Sequence, residues 1–237
     1  MHVRRHGSIG PIVRVFIVFA LSHSLLASQA AKQASARLFG TRLRNGLYRF
    51  VYNATAVLCL VPLAIWFVRL PDRTLYKVRL PFSLVMYGVQ AASLLMAVVA
   101  ARVVGVGRIT GIERVTRLIA GETPPAEPEA QGPPLKLRGE MEVVGPFRFT
   151  RHPLNLAPIG VFAFFPHMTV NRAVLAILSL IYLMLGSVHE EARLRARYGE
   201  AYRTYQGSGV PFYFPLRRRV APTPHDAKAS QPREEAS

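Results

Sequence analysis

Apolar residues fall in five blocks, at positions 11–30, 47–68, 80–104, 154–168 and 170–188, with polar residues collected between them. A hydrocarbon layer ~30 Å thick needs about 20 helical residues, so the pattern predicts an all-α integral membrane bundle of about five transmembrane helices. The fourth block is short and contains Pro158 and Pro166, which predicts a kinked helix or one reaching only part-way. The first block contains Arg14 and runs on without a small-residue cleavage site, so it reads as the first membrane helix. Beyond residue 188 the pattern turns amphipathic. Leu194, Tyr198, Ala201, Tyr202 and Tyr205 recur at three- and four-residue steps among Glu190, Arg193, Arg197, Glu200 and Arg203, as in a C-terminal amphipathic helix. That helix is expected to leave the membrane and bend at Gly199, its tyrosines acting as anchors at the water boundary. The Pro211-Phe-Tyr-Phe-Pro215 that follows is expected to be extended, either folded back as a lid or lying on the lipid surface.

Two stretches have no apolar periodicity. Residues 121–138 form an acidic, proline-rich linker and residues 217–237 a polar tail, and both compositions predict disorder without chemistry. They divide the chain into a three-helix membrane scaffold at 1–120 and a hairpin with a flanking amphipathic helix at 139–216.

Charge adds an orientation. The chain is 51% hydrophobic yet carries a formal net charge of +17. Nucleic-acid binding is excluded because the basic residues lie at helix ends and in short loops, without the aromatic-interleaved surface such binders use. Placing 32–49, 101–153 and 189–237 in the cytoplasm puts 22 Lys and Arg inside and 8 outside. The positive-inside bias therefore predicts a multi-pass inner-membrane protein with a cytoplasmic C-terminus. Cys59 is the sole cysteine and reads as a small apolar residue. The seven histidines match no zinc spacing, so no metal is expected. His23, between Ser22 and Ser24 in the first block, is expected to bridge helices, with a place near a substrate or a role as a haem-like ligand as the alternatives.

The chemistry concentrates at two clusters. One is Gly145-Pro-Phe-Arg-Phe-Thr-Arg-His-Pro-Leu-Asn155; the other begins at His189-Glu-Glu. An apolar hairpin separates them, so they are expected to meet at one membrane face, where ionisable groups are rarely tolerated without a use.

The ordered set Gly145-Pro-Phe, Arg151-His-Pro-Leu, Glu190-Glu, Leu194, Tyr198-Gly-Glu-Ala-Tyr202, Tyr205 and Val210-Pro resembles the isoprenylcysteine carboxyl methyltransferase and phospholipid methyltransferase superfamily. The likeness is strongest over 139–215, and within the superfamily it points to bacterial thiol S-methyltransferase-like and NnrU-like proteins. The resemblance implies S-adenosyl-L-methionine bound at the cytoplasmic face without a Rossmann domain, and a small or lipophilic methyl acceptor: a thiol, a prenylcysteine-type carboxylate or a lipid amine. A non-catalytic NnrU-like protein supporting a respiratory or nitrogen-oxide pathway is the alternative. By similarity, Glu140, Met141, Phe147, His152, Pro153, Leu154 and Asn155 line the cofactor, with Glu190 and Glu191 closing the other side. The family commonly has a tyrosine where this chain has Asn155, which puts one contact in question.

Arg151, His152 and Glu191 are the expected catalytic residues. Carboxylates suit a cationic sulfonium. Arg151 suits a carboxylate held in a fork, and His152 either donates to adenosine or acts as a base toward a thiol. Each has a structural alternative: Arg151 as a membrane-face anchor, His152 as a joint before Pro153, and the glutamates as partners of Arg193 and Arg195.

Overall fold

The computed structural model describes residues 8–126, 132–136 and 139–214. In chain order they form α1 (Ile9–Ala27), α2 (Gln29–Val68), β1 (Thr74–Lys77), α3 (Phe82–Val104), α4 (Val106–Thr110), α5 (Ile112–Ile119), a 3-10 turn (Gly145–Arg148), α6 (Pro153–Ala163), β2 (His167–Thr169), α7 (Val170–Tyr198) and α8 (Glu200–Gly207). The expected disordered tail, and the linker residues 127–131 and 137–138, lie outside the described residues.

Four helices, α1, α2, α3 and α7, are long and apolar enough to cross a membrane, and at most 11% of the apolar window of any of them is buried. So much exposed apolar surface exceeds what water tolerates on a monomer, and hydrocarbon is the solvent it suits. The fourth block forms only the 11-residue α6, ~16 Å long. Four full-length helices and one short one therefore stand where about five spans are expected. The prolines account for the shortness: Pro158 sits inside α6, and the chain leaves the helix at Phe164, just before Pro166. From there it enters β2, which pairs antiparallel with β1, Tyr76 opposite Met168 and Lys77 opposite His167. This small sheet departs from the all-α expectation. It pairs backbone groups of two segments that emerge beside each other at the same end of the bundle.

Helix breaks set the shape. Ser28 separates α1 from α2 and accepts a hydrogen bond from the Ala31 amide at 3.2 Å, capping α2. Gly40 takes φ 81° and kinks α2. The short α6 lies between α3 and α7, α1 contacts both α2 and α7, and α5 packs on α2. Gly160 is required at the α3–α6 crossing, since a Cβ there would stand 2.2 Å from Ser93 Oγ, the small-residue contact that lets membrane helices approach. Gly199, at φ 53°, adopts a conformation costly for other residues and turns the chain from α7 into α8, as expected.

The packed core sits at the end of the bundle away from the sheet. Met141, Leu194, Tyr202 and Tyr205 form one buried cluster, and Ala100, Val104 and Phe147 another. Tyr202 is 1% exposed and Tyr205 3% exposed. Their expected role as water-boundary anchors is thereby corrected: the turn at Gly199 folds them inward, where Tyr205 donates to the Phe147 carbonyl at 2.6 Å. The described part of the linker also packs. Pro124 and Pro133 are fully buried, and Glu142 N donates to Pro134 O at 2.8 Å.

Candidate functional site

Chain stops on two helices bring the polar clusters together. Pro153 starts α6, which fixes His152 as its N-cap residue, and α7 carries Glu190 and Glu191 just past its apolar run. The Arg151 guanidinium donates through Nε to Glu191 Oε1 at 2.8 Å and through Nη1 to the Val210 carbonyl at 2.8 Å. The His152 ring lies between the acids, Nε2 3.3 Å from Glu191 Oε1 and Nδ1 3.5 Å from Glu190 Oε2. Glu191 Oε2 accepts from Gln206 Nε2 at 2.8 Å and from Arg195 at 3.2 Å.

The two glutamates thus differ. Glu191 is nearly buried and fully occupied, whereas the Glu190 side chain is 31% exposed and borders a hollow. Phe147, Arg151, His152, Pro153, Leu154 and Asn155 line that hollow from one side, Leu194 and Tyr202 from another, and Gly132 and Pro133 from a third. Its enclosed space is about 10 Å³, room for about one water. One of the residues lining it carries an unpaired donor. The Tyr202 hydroxyl is buried without a hydrogen-bond partner, and burial holds its phenol above the usual pKa, so it stays protonated.

Asn155 ties α6 to α7. Its Nδ2 donates to Ser187 Oγ at 2.8 Å and to Glu190 Oε2 at 3.1 Å. Tyr213 donates to the Leu183 carbonyl at 2.9 Å, so the 2.7 Å contact between Ser187 and Tyr213 runs from the serine hydroxyl to the phenol oxygen. Asn155 therefore starts a directed relay that holds Glu190 against α6.

His152 is more basic than an ordinary histidine. Burial opposes its charge, and the hydrogen bonds and charges of Glu190 and Glu191 more than offset this. A ring protonated on both nitrogens has no lone pair to offer, which favours positioning over the general-base role considered from sequence.

Of the predicted residues, Phe147, Arg151, His152, Pro153, Leu154, Asn155 and Glu190 border the hollow, and Glu191 stands behind them as their common partner. Met141 packs one layer away, on Leu194 and Tyr202. Glu140 is exposed and does not line it. Sequence reasoning missed Tyr202, Gln206, Gly132 and Pro133. Tyr202 stands in the sequence both in a helical tyrosine series and in the set that carries the resemblance, without a site role attached to it, and Gln206 reaches Glu191 only through the turn at Gly199. The segment after α8 folds back over the site: Pro211 O accepts from Arg151 N at 3.0 Å, Phe212 O accepts from Thr150 at 2.8 Å, and the Phe212 ring lies 4.7 Å from that of His152. His23 bridges helices, its Nε2 meeting the Tyr52 hydroxyl of α2.

No family model matches the chain, and no solved structure matches it. It is 25% identical over 208 residues to methanethiol S-methyltransferase 1 of Bradyrhizobium diazoefficiens, a match covering 86% of this chain and 65% of that protein. It is 37% identical over 73 residues to the methanethiol S-methyltransferase of Pseudomonas deceptionensis, 31% of this chain and 28% of that one. The chain thus spans 65% and 28% of the length of these curated relatives, and what it shares with them is similarity to thiol methyltransferases.

Proposed function

We propose that this protein is an S-adenosyl-L-methionine-dependent membrane methyltransferase acting on a small thiol, with its site at the cytoplasmic face of the inner membrane. The carrying observation is the convergence of Arg151, His152, Asn155 and Glu190 on one hollow at the end of an apolar bundle, with Glu191 behind them as the partner of Arg151 and His152. The names of its relatives supply the thiol.

The donor set suits a cationic, hydrogen-bonding cofactor. Glu190 offers a partly exposed carboxylate to a positive charge or an amino group, and Tyr202 offers a buried donor awaiting an acceptor. Phe147, Leu154 and Leu194 supply apolar walls that exclude water. Arg151, His152 and Glu191 hold one another, and through Val210 they hold the returning segment, so the site is preorganised. When bound, the cofactor supplies an electrophilic methyl group for the acceptor sulfur. Binding requires the hollow to widen, and the Gly132–Pro133 side is the one not anchored to α6 or α7 by these ion pairs.

Calorimetric titration of the detergent-purified chain with S-adenosyl-L-methionine tests the reading, together with transfer of an isotopically labelled methyl group to methanethiol. Binding and a labelled product, both reduced in Glu190→Ala, are expected. A folded sample that binds nothing at millimolar cofactor removes the enzyme. The competing reading is a non-catalytic membrane protein acting through partners in a respiratory or nitrogen-oxide pathway, and the small enclosed space favours it. The same titration separates the two.

A further inference from the structure

The helix α5, Ile112-Glu-Arg-Val-Thr-Arg-Leu-Ile119, carries three distinct faces. With about 100° between successive residues, Arg114 and Leu118 share one face, Glu113 and Arg117 a second, and Ile112, Val115 and Ile119 a third. The first is the packed face. Arg114 is buried and donates to the carbonyls of Asn45 and Pro125, and Leu118 lies so close to α2 that a Cβ on Gly46 would stand 2.8 Å from it. The second face is polar, and its Glu113 and Arg117 pair with each other at 3.1 Å. The third is apolar and open: Ile112 is 51% exposed and Ile119 is 80% exposed.

The packed face lies between the other two, so the contact with α2 turns the apolar flank one way and the charged flank the other. The same contact sets the depth of α5. Gly111, at φ 83°, sits against Arg49 and Phe50, where a Cβ would stand 2.7 Å from Phe50 N, and Leu118 meets Gly46 beside them. The helix therefore crosses α2 at residues 46–50, and the apolar block that α2 carries into the membrane begins at residue 47. Just beyond α5, the Gly121 carbonyl accepts from Arg42 Nη2 at 3.0 Å, and the stretch of α2 around Arg42 presents Leu38, Phe39 and Leu43 exposed as well. An isolated exposed isoleucine needs no explanation. Two on one flank, at the depth where a neighbouring helix enters hydrocarbon and on the side away from an ion pair, match a helix lying in a membrane interface, its apolar side toward the acyl chains and its charged side toward water.

We propose that α5 lies in the plane of the membrane at the headgroup boundary, with Ile112 and Ile119 dipping into the acyl chains and Glu113 and Arg117 in water, so that lipid is the partner of this surface. Helix geometry carries this independently of the methyltransferase reading. Arg42 and Arg114 hold the carbonyls of Gly121 and Pro125, so the bilayer surface fixes the start of the segment that goes on to line the first hollow with Gly132 and Pro133.

Electron paramagnetic resonance of the full chain in lipid nanodiscs tests it. In a Cys59→Ala background, which removes the sole cysteine, Ile112→Cys, Glu113→Cys, Arg117→Cys and Ile119→Cys each carry one nitroxide label. Relaxation of each label by oxygen, which concentrates among acyl chains, is compared with relaxation by a water-soluble nickel chelate. Oxygen is expected to dominate at 112 and 119 and the chelate at 113 and 117, the ratio of the two differing several-fold between the flanks. The proposal is overturned if the chelate reaches 112 and 119 as readily as 113 and 117, which would put the apolar flank in water. It is equally overturned if neither reagent reaches 112 and 119, which would mean that protein, such as a second copy of the chain, covers them. None of the four substitutions touches the face packed on α2, and a helix detached from α2 would show one ratio at all four positions, which also counts against the proposal. Cofactor binding and methyl transfer do not enter these readings, so their failure and failure of the methyltransferase reading stay distinct.

Discussion

At the sheet end of the bundle, Asn171 is 1% exposed and is satisfied without a buried charge. Its amide donates to the Pro71 carbonyl at 3.1 Å, it meets the Ser8 hydroxyl, and its backbone N–H goes to Asp72 at 3.1 Å. At the opposite end, Arg151, His152 and Glu191 are also largely packed away, but there the partners are ions, with side-chain exposures of 11%, 2% and 9%. Both ends tie helices together. Hydrogen bonds without a buried ion pair suffice for that task, the one carboxylate involved, Asp72, being exposed, and buried ion pairs add a desolvation penalty that packing alone does not require. Paying it at one end only marks that end as the one where charge has a further use.

The largest expected effect breaks the ionic end. Glu191→Ala leaves Arg151 and His152 without their shared acceptor, and the loss should approach about 3 kcal/mol, the low end for breaking a buried pair, read as a lower melting temperature in detergent. Glu190→Ala should lose well under half of that, because its carboxylate is partly exposed, yet it should lower cofactor affinity at least tenfold. If the neighbouring glutamates behaved alike in both assays, the division between an organising acid and a presenting acid would fail. Next in size is Asn171→Ala at the neutral end, which strands the Pro71 carbonyl and Ser8 and should cost about 1–2 kcal/mol while leaving cofactor affinity as it was. A fall in affinity there would mean that the two ends are coupled, and the comparison would lose its meaning.

A smaller effect follows pH. His152 titrates higher in the folded protein than its ordinary value because Glu190 and Glu191 outweigh its burial. The stability it contributes is therefore fully present below the unfolded-state pKa of about 6.5 and is lost as pH rises through the folded-state value. The melting-temperature margin of the parent over His152→Gln should be widest near pH 6 and narrow toward pH 9. A margin that widens instead would mean that the ring is neutral between the acids.

Much of this was legible in the sequence because spans and charge clusters are local signals. The apolar blocks located α1, α2, α3 and α7, the prolines of the fourth block foretold a helix too short to cross alone, and Arg151, His152, Glu190 and Glu191 were placed together by connectivity: an apolar hairpin returns the chain to the face it left. What stayed hidden depends on direction. Whether a tyrosine of α8 points to lipid headgroups or inward is decided by the backbone at Gly199, not by its spacing, so Tyr202 and Tyr205 were read as anchors when they are core. Glu190 and Glu191 are adjacent in sequence, and only the 100° step between them on α7 separates their roles. The linker offered no apolar period, and the packing of Pro124 and Pro133 follows from contacts distant in sequence.

Tyr202 gives the finest test of that difference between the ends. Every buried polar group described at the neutral end has its partner, whereas the Tyr202 hydroxyl, beside the ionic cluster, has none. Leaving a buried hydroxyl unsatisfied costs roughly 1–3 kcal/mol, so removing it should not harm the free protein. Tyr202→Phe is expected to melt within about 1 kcal/mol of the parent or slightly above it, since the ring that packs on Leu194 and Tyr205 remains. If the hydroxyl waits for a ligand acceptor, the same substitution should weaken cofactor binding several-fold, and cofactor should raise the melting temperature of the parent more than that of the variant. Equal ligand-induced shifts would show that the orphaned donor belongs to packing and not to the site.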